Sequence, residues 1–209
     1  MEIENNKPYL RRWWIVGSLL VGTWVGTLGS SMIPVALPSI LKHFDTPLNT
    51  GIWLISIYTL MVAVFMPVFG WLGNRYGYRR IYFLGLSGFA IFSYMAAIAP
   101  NIESLIIFRV LQGIFNATTP PCVMGIISRT FPANERGSAM GVWATVNGAA
   151  HGLGPVISGS MIIFFGWSSI FLFMGTCTLI GLFLIFYFVP PDYDKSQTES
   201  RKFGTDIKS

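Results

Sequence analysis

Apolar residues dominate six long stretches of this chain, and charged positions fall almost entirely in the short segments between them. A helix needs about 20 mostly apolar residues to cross the hydrocarbon of a bilayer. The runs at 13–38, 50–72, 80–99, 104–127, 138–164 and 168–189 meet that length and predict six spanning helices. Their connections are short: Lys42–Asn49, Gly73–Arg79, Pro100–Glu103, Ser128–Gly137 and the Gly166-Trp167 turn. Such loops force consecutive helices to run antiparallel and pack. The expected fold class is an all-α integral membrane bundle, with residues 13–189 as one six-helix domain. Residues 1–12 are expected to form a cytoplasmic N-terminus. Residues 190–209, polar after Pro190-Pro191, are expected to be a disordered cytoplasmic tail.

Charge sharpens this reading. Only 11% of the residues are charged, against about 25% in a soluble domain. The acidic residues are Glu2, Glu4, Asp45, Glu103, Glu135, Asp192, Asp194, Glu199 and Asp206, and none falls inside an apolar run. The net charge of +5 raises the question of a nucleic-acid partner. Threading six spans from a cytoplasmic N-terminus places every Lys and Arg on the inner side except Lys42, outside, and Arg109, embedded. Retained basic residues orient membrane helices, so the charge reports topology and nucleic acid is not an expected partner. Both termini are then cytoplasmic, in a multi-pass protein of the plasma or inner membrane. The first run, after Arg11-Arg12, is too long for a secretory h-region and has no clear small-x-small cleavage site. Cys122 and Cys177 both lie within runs and are expected to be packing residues. No disulfide or metal framework is implied.

Small residues and prolines sit inside the spans. Ser18, Gly22, Gly26 and Ser30 recur every four residues in span 1. Gly141, Thr145, Gly148, Gly152, Pro155 and Gly159 form a second ridge on span 5, within an arc of about 100°. Small side chains let helix backbones approach closely in lipid, where hydrophobic burial gives no net drive to associate. Pro34, Pro67, Pro120, Pro121 and Pro155 remove helix hydrogen bonds and predict bends.

The inner segment between spans 2 and 3 reads Gly70-Trp71-Leu72-Gly73-Asn74-Arg75-Tyr76-Gly77-Tyr78-Arg79-Arg80. It resembles the signature loop of the major facilitator superfamily, with Gly70, Leu72, Arg75, Gly77 and Arg79 matching together. The resemblance implies a gating loop built from Gly70, Asn74, Arg75, Gly77 and Arg79. Asn74 stands where the family usually has an aspartate that locks the cytoplasmic face shut, which implies a weaker lock. Span 4 carries Arg109-Val110-Leu111-Gln112-Gly113 followed by Asn116-Ala117, similar to the superfamily's Arg-x-x-Gln-Gly pattern. Gly154-Pro155-Val156-Ile157-Ser158-Gly159 in span 5 is close to its antiporter signature, with Gly154, Pro155 and Gly159 implied to pack helices. Val35-Ala36-Leu37-Pro38, Trp53-Leu54, Phe131–Gly137 and Gly166–Phe171 extend the resemblance to the drug:proton antiporter group with fourteen spans. It covers residues 12–191.

The resemblance implies one half of a proton-coupled exporter of small amphipathic molecules. The proton gradient is its energy source, and no cofactor or metal is required. Its partners are the lipid bilayer, the substrate and a second six-helix half, either a copy of this chain or a separate one. A truncated, non-transporting fragment or assembly partner is the competing reading. An enzyme is not expected, for there is no acidic pair, metal spacing or nucleophile with a nearby base.

Three features bear on the site. Arg109 is an arginine in a membrane span, which costs at least about 2.5–3.5 kcal/mol unless it faces protein or water. It either serves the cavity and proton coupling, or snorkels to the nearby outer interface. The drug-export group usually carries an aspartate in span 1 where this chain has Gly29. With no embedded carboxylate, His151 is the alternative proton carrier, since imidazole titrates near neutrality. Its other role would be a neutral packing histidine. Gln112, Asn116 and Asn147 are the candidate polar residues of the cavity. The 15% aromatic fraction and nine methionines suit apolar, often cationic, drugs, and equally suit lipid contact and packing.

Overall fold

The computed structural model describes residues 7–188, with side chains from residue 12 onward. It is helical throughout: α1 (Lys7–Phe44), α2 (Leu48–Gly51), α3 (Trp53–Tyr76), α4 (Tyr78–Ala97), α5 (Ile102–Asn116), α6 (Thr119–Thr130), α7 (Arg136–Phe165) and α8 (Ser168–Phe188). Hydrocarbon offers the backbone no hydrogen-bond partners, so each span must satisfy its own amides, and helices do that. Six stretches are long and apolar enough to cross a membrane, with α2–α3 forming the second and α5–α6 the fourth. The expected six-helix bundle is therefore the observed one. The expected tail at 190–209 lies outside the described residues, as do residues 1–6 of the expected N-terminal segment.

Two boundaries differ from the sequence reading. Helix α1 begins at Lys7 and continues through Pro34 and Pro38 to Phe44, beyond the expected end at 38. Pro34 and Pro38 are exposed, so their rings project away from the packed face. The fourth span is interrupted at Ala117-Thr118. There Pro120 and Pro121, which lack amide hydrogens, occupy the first turn of α6, where no hydrogen bond is lost. Pro67 and Pro155 lie inside continuous helices.

Local chemistry sets the turns. Asn101 and Ser104 form a reciprocal cap at the start of α5, with Ser104 N donating to Asn101 Oδ1 at 2.8 Å. The α3–α4 reversal is made by Gly77 alone, at φ +97°, a conformation that side-chain-bearing residues rarely adopt.

The packing has an internal two-fold logic. The first span packs most against the fifth and the second against the fourth, while the third and sixth, α4 and α8, pack on each other. Exchanging spans 1–3 with 4–6 leaves this pattern unchanged, as expected for an inverted repeat.

Helix α1 runs through the centre. Four of its carbonyls accept side-chain hydrogen bonds, each from a different helix. Tyr82 of α4 donates to Leu19 (2.9 Å), Tyr58 of α3 to Gly26 (3.0 Å), Arg109 of α5 to Gly29 (3.5 Å) and Ser158 of α7 to Met32 (2.9 Å). Two apolar clusters hold the rest. One, with Ile33, Ala36, Trp167 and Phe171, surrounds the second half of α1. The other, with Val16, Leu19, Tyr82 and Phe131, surrounds its first half.

Candidate functional site

Between the two clusters a cleft of about 470 Å³ opens along α1, α3, α7 and the α5–α6 break, within the size range of small-molecule sites. Its α1 wall is Thr23, Thr27 and Ser30, spaced at about one helical turn and so on one face. The α7 wall is Trp143, Asn147 and His151, on the same spacing. The two walls are joined by hydrogen bonds. Thr27 Oγ1 donates to Asn147 Oδ1 at 2.5 Å and Trp143 Nε1 donates to Thr23 Oγ1 at 3.4 Å, while within α7 Asn147 Nδ2 donates to the Trp143 carbonyl at 3.1 Å. Asn116 and Pro120 complete the site where the fourth span is broken, and Tyr58 borders it from α3.

Asn116 shows how the site is assembled. Its side-chain oxygen lies against Gly26, where a β-carbon on α1 would collide with it. The glycine at that point of the span 1 ridge is thus what admits an amide to the wall. His151 is exposed to the cleft, its Nδ1 3.3 Å from the Asn147 carbonyl one turn earlier. Its ring is available from the cleft and is not a packed core group. Asn116, Asn147 and His151 thus line one cleft.

Arg109 and Gln112 are not in the cleft, a correction to the expectation for Gln112 as a cavity residue. Both are fully buried behind it. Nε of Arg109 donates to the Leu54 carbonyl at 3.0 Å, one terminal nitrogen donates to Gln112 Oε1 at 3.1 Å, and the other reaches Gly29 O. Gln112 Nε2 in turn donates to Ser93 Oγ at 2.8 Å, which carries the chain of hydrogen bonds into α4. The guanidinium lies 4.0 Å from the centre of the Tyr58 ring, a cation–π contact that desolvation strengthens. Snorkelling is excluded, because the head group points into protein. The reason is depth and not rotation: Arg109, Gln112 and Asn116 share one face of α5, but the first two lie nearer its Asn101 end, where they bond to α1, α3 and α4, whereas Asn116 borders the break and the cleft. Gly29, with no side chain of its own, offers Arg109 a backbone carbonyl.

The residues of the α3–α4 signature loop occupy the opposite, basic end. Asn74 accepts from Arg129 of α6 at 3.3 Å, and Arg129 also lies 4.5 Å from the Tyr78 ring. Arg75 is exposed and flanked by Trp71 and Tyr76 at 5.3 and 5.5 Å. A β-carbon added at Gly70 would come to ordinary contact distance of Pro121, and Gly77 makes the turn. Arg79 is half-buried at the start of α4. Arg129, the partner of Asn74, was not singled out from the sequence; nothing in the local pattern connects residues 55 positions apart. Tyr58 and Thr27 were missed for a similar reason, although the Thr23–Thr27–Ser30 periodicity was readable.

Of the expected packing trio, Gly154 is buried against Ser31 and Leu28 of α1. Pro155 is exposed, and a β-carbon added at the half-buried Gly159 would meet nothing within 4 Å. These two do not pack within the bundle, because the ridge they belong to points away from α1.

Residues 19–209 match the profile of the Major Facilitator Superfamily. The riboflavin transporter RibZ of Clostridioides difficile (strain 630) is 33% identical over 190 residues, covering 91% of this chain and 42% of the relative. The tetracenomycin C resistance and export protein of Streptomyces glaucescens is 32% identical, over 77% of this chain and 30% of the relative. The multidrug efflux pump LfrA of Mycolicibacterium smegmatis (strain ATCC 700084 / mc(2)155) is 32% identical, over 78% and 32%. Among solved structures, a bacterial homolog of the human lysosomal transporter Spinster, inward-facing and unoccupied, superposes with TM-score 0.74 at 16% identity, over 86% of this chain and 43% of that one. This last likeness concerns the fold. The chain is a multi-pass membrane protein and belongs to the Major Facilitator Superfamily. It spans less than half the length of each of these relatives.

Proposed function

We propose that this bundle is the first half of a proton-coupled exporter of small amphipathic molecules in the cell membrane, with both termini cytoplasmic. The observation that carries the reading is the cleft itself. It presents a largely apolar surface set with a few polar groups, is bordered by the first, second, fourth and fifth spans, and contains an ionisable side chain, His151. Relatives named as exporters of tetracenomycin C and of multiple drugs support the direction of transport.

Alternating access in such folds requires two units rocking about a central site. The α7 ridge supports a second six-helix unit as partner. Gly141, Gly148 and Gly152 are exposed, and a β-carbon added at any of them would meet nothing within 4 Å, so another helix backbone can approach there. A copy of this chain or a separate six-helix unit fits that role. With no carboxylate among the described residues that line the cleft, His151 is the proton carrier: it binds a proton on the acidic side and releases it as substrate binds.

The test uses the full chain in proteoliposomes loaded with a planar fluorescent dye, under an imposed proton gradient, with its mass measured in detergent. Gradient-driven dye flux by an assembled species is expected. His151→Gln should keep dye binding and lose the dependence of flux on the gradient. Coupling that survives His151→Gln removes the histidine from the mechanism. A strict monomer without flux overturns the exporter and favours an assembly partner.

A further inference from the structure

We infer that this cleft selects neutral or anionic planar molecules and rejects permanent cations, an inference that rests on reading the cleft as the substrate site. The reason is the sign of every charge near it. Among the described residues the carboxylates are Asp45, Glu103 and Glu135, all at helix ends or in the segments between helices. None lines the cleft. The ionisable groups that face it are His151, which is neutral or positive, and Tyr58.

Behind Tyr58 stands a full positive charge. Arg109 is buried, and its partners are two backbone carbonyls, the Gln112 amide oxygen and the Tyr58 ring, with no carboxylate among them. Dipoles solvate a cation without cancelling its field. Tyr58 therefore separates an uncompensated charge from the bound molecule by one ring. At about 8 Å and an effective dielectric of about 20, a unit charge of opposite sign is favoured over the neutral form, and a like charge disfavoured, by roughly thirtyfold. The Tyr58 face that would attract a cationic substrate is already engaged by Arg109 at 4.0 Å. The groups left for a ligand are the Trp143 indole to stack on and Thr27, Asn116 and Asn147 to hydrogen-bond with. That set suits a flat molecule with carbonyl and N–H or O–H edges.

The experiment measures fluorescence polarisation of three matched planar dyes on the full chain in lipid nanodiscs. The dyes share one ring system and carry a neutral group, a carboxylate or a quaternary ammonium. Wild type should bind the neutral and carboxylate dyes at least about tenfold more tightly than the ammonium dye. Asn147→Asp, which places a carboxylate on the wall and retains the acceptor for Thr27, should narrow or reverse that order. Asn147→Trp, which fills the cleft, should abolish binding of all three. Ammonium binding equal to or tighter than the others, and blocked by Asn147→Trp, overturns the charge selection and leaves the substrate site standing. Binding that Asn147→Trp does not affect, or no binding at all, overturns the substrate site and this inference with it.

Discussion

Two ridges of small residues run along this molecule, and they end in opposite environments. On α1, Ser18, Gly22 and Gly26 are buried and Ser30 turns into the cleft. Gly22 lies against Tyr82 and Leu86, and Gly26 against Asn116. On α7, Gly141, Thr145, Gly148, Gly152 and Pro155 are exposed. A β-carbon added at Gly141, Gly148, Gly152 or Gly159 would meet nothing within 4 Å. The sequence patterns are alike, and the physics of each is the same: removing side chains lets two backbones come close. The difference lies in whether a helix of this bundle takes up the offer. Helix α1 is surrounded and lends its carbonyls to four neighbours, whereas α7 gives α1 only the face carrying Ala150, Gly154 and Ser158.

Substitutions at matched positions can break this contrast. The largest effect is expected for Gly26→Leu, which drives four carbons into Asn116 and the α5–α6 break. A loss of about 3 kcal/mol or more of bundle stability should result, seen as a lowered melting temperature in detergent. A Gly26→Leu protein with unchanged melting would show that the central helix is not tightly held. Arg109→Lys comes next. Lysine retains the charge and loses the planar fork that reaches Leu54, Gln112 and Gly29 together. About 2 kcal/mol of destabilisation is expected, by the same melting measurement. Full stability in Arg109→Lys would mean that the charge alone, and not the set of oriented bonds, secures the residue. The smallest effect on the bundle belongs to Gly152→Leu, within about 0.5 kcal/mol. Its consequence should fall on association and flux, because the added side chain blocks the face offered to a second unit. A loss of bundle stability comparable to that of Gly26→Leu would erase the distinction between the two ridges.

The same contrast explains how far the site could be read in advance. His151 and Asn147 were legible because they share a face of one helix with the required spacing, a property of local sequence. Asn116 was legible from the motif it follows. Gln112, on the same motif, was assigned to the cavity and is instead bonded to Ser93 and Arg109 behind it. Periodicity places residues around a helix axis. It carries no information on which part of a face meets the cleft and which meets another helix, and Gln112 and Asn116 share a face of α5 while differing in depth. Gly154, Pro155 and Gly159 separate for the same reason: one motif on a single helix faces two surroundings.

The six spans, their order and the basic character of the loops between them were readable from the residues alone, because the bilayer acts on each segment separately through its apolar length and its charges. The same holds for the turns at Gly77 and Asn101, which depend on neighbouring residues alone. Tertiary structure decided which ridge is covered, that Arg109 is solvated by carbonyls and a ring and not by a carboxylate, and that Thr27 meets Asn147 across 120 residues. Those outcomes depend on distances between helices far apart in the chain, and only packing brings them within reach of a hydrogen bond.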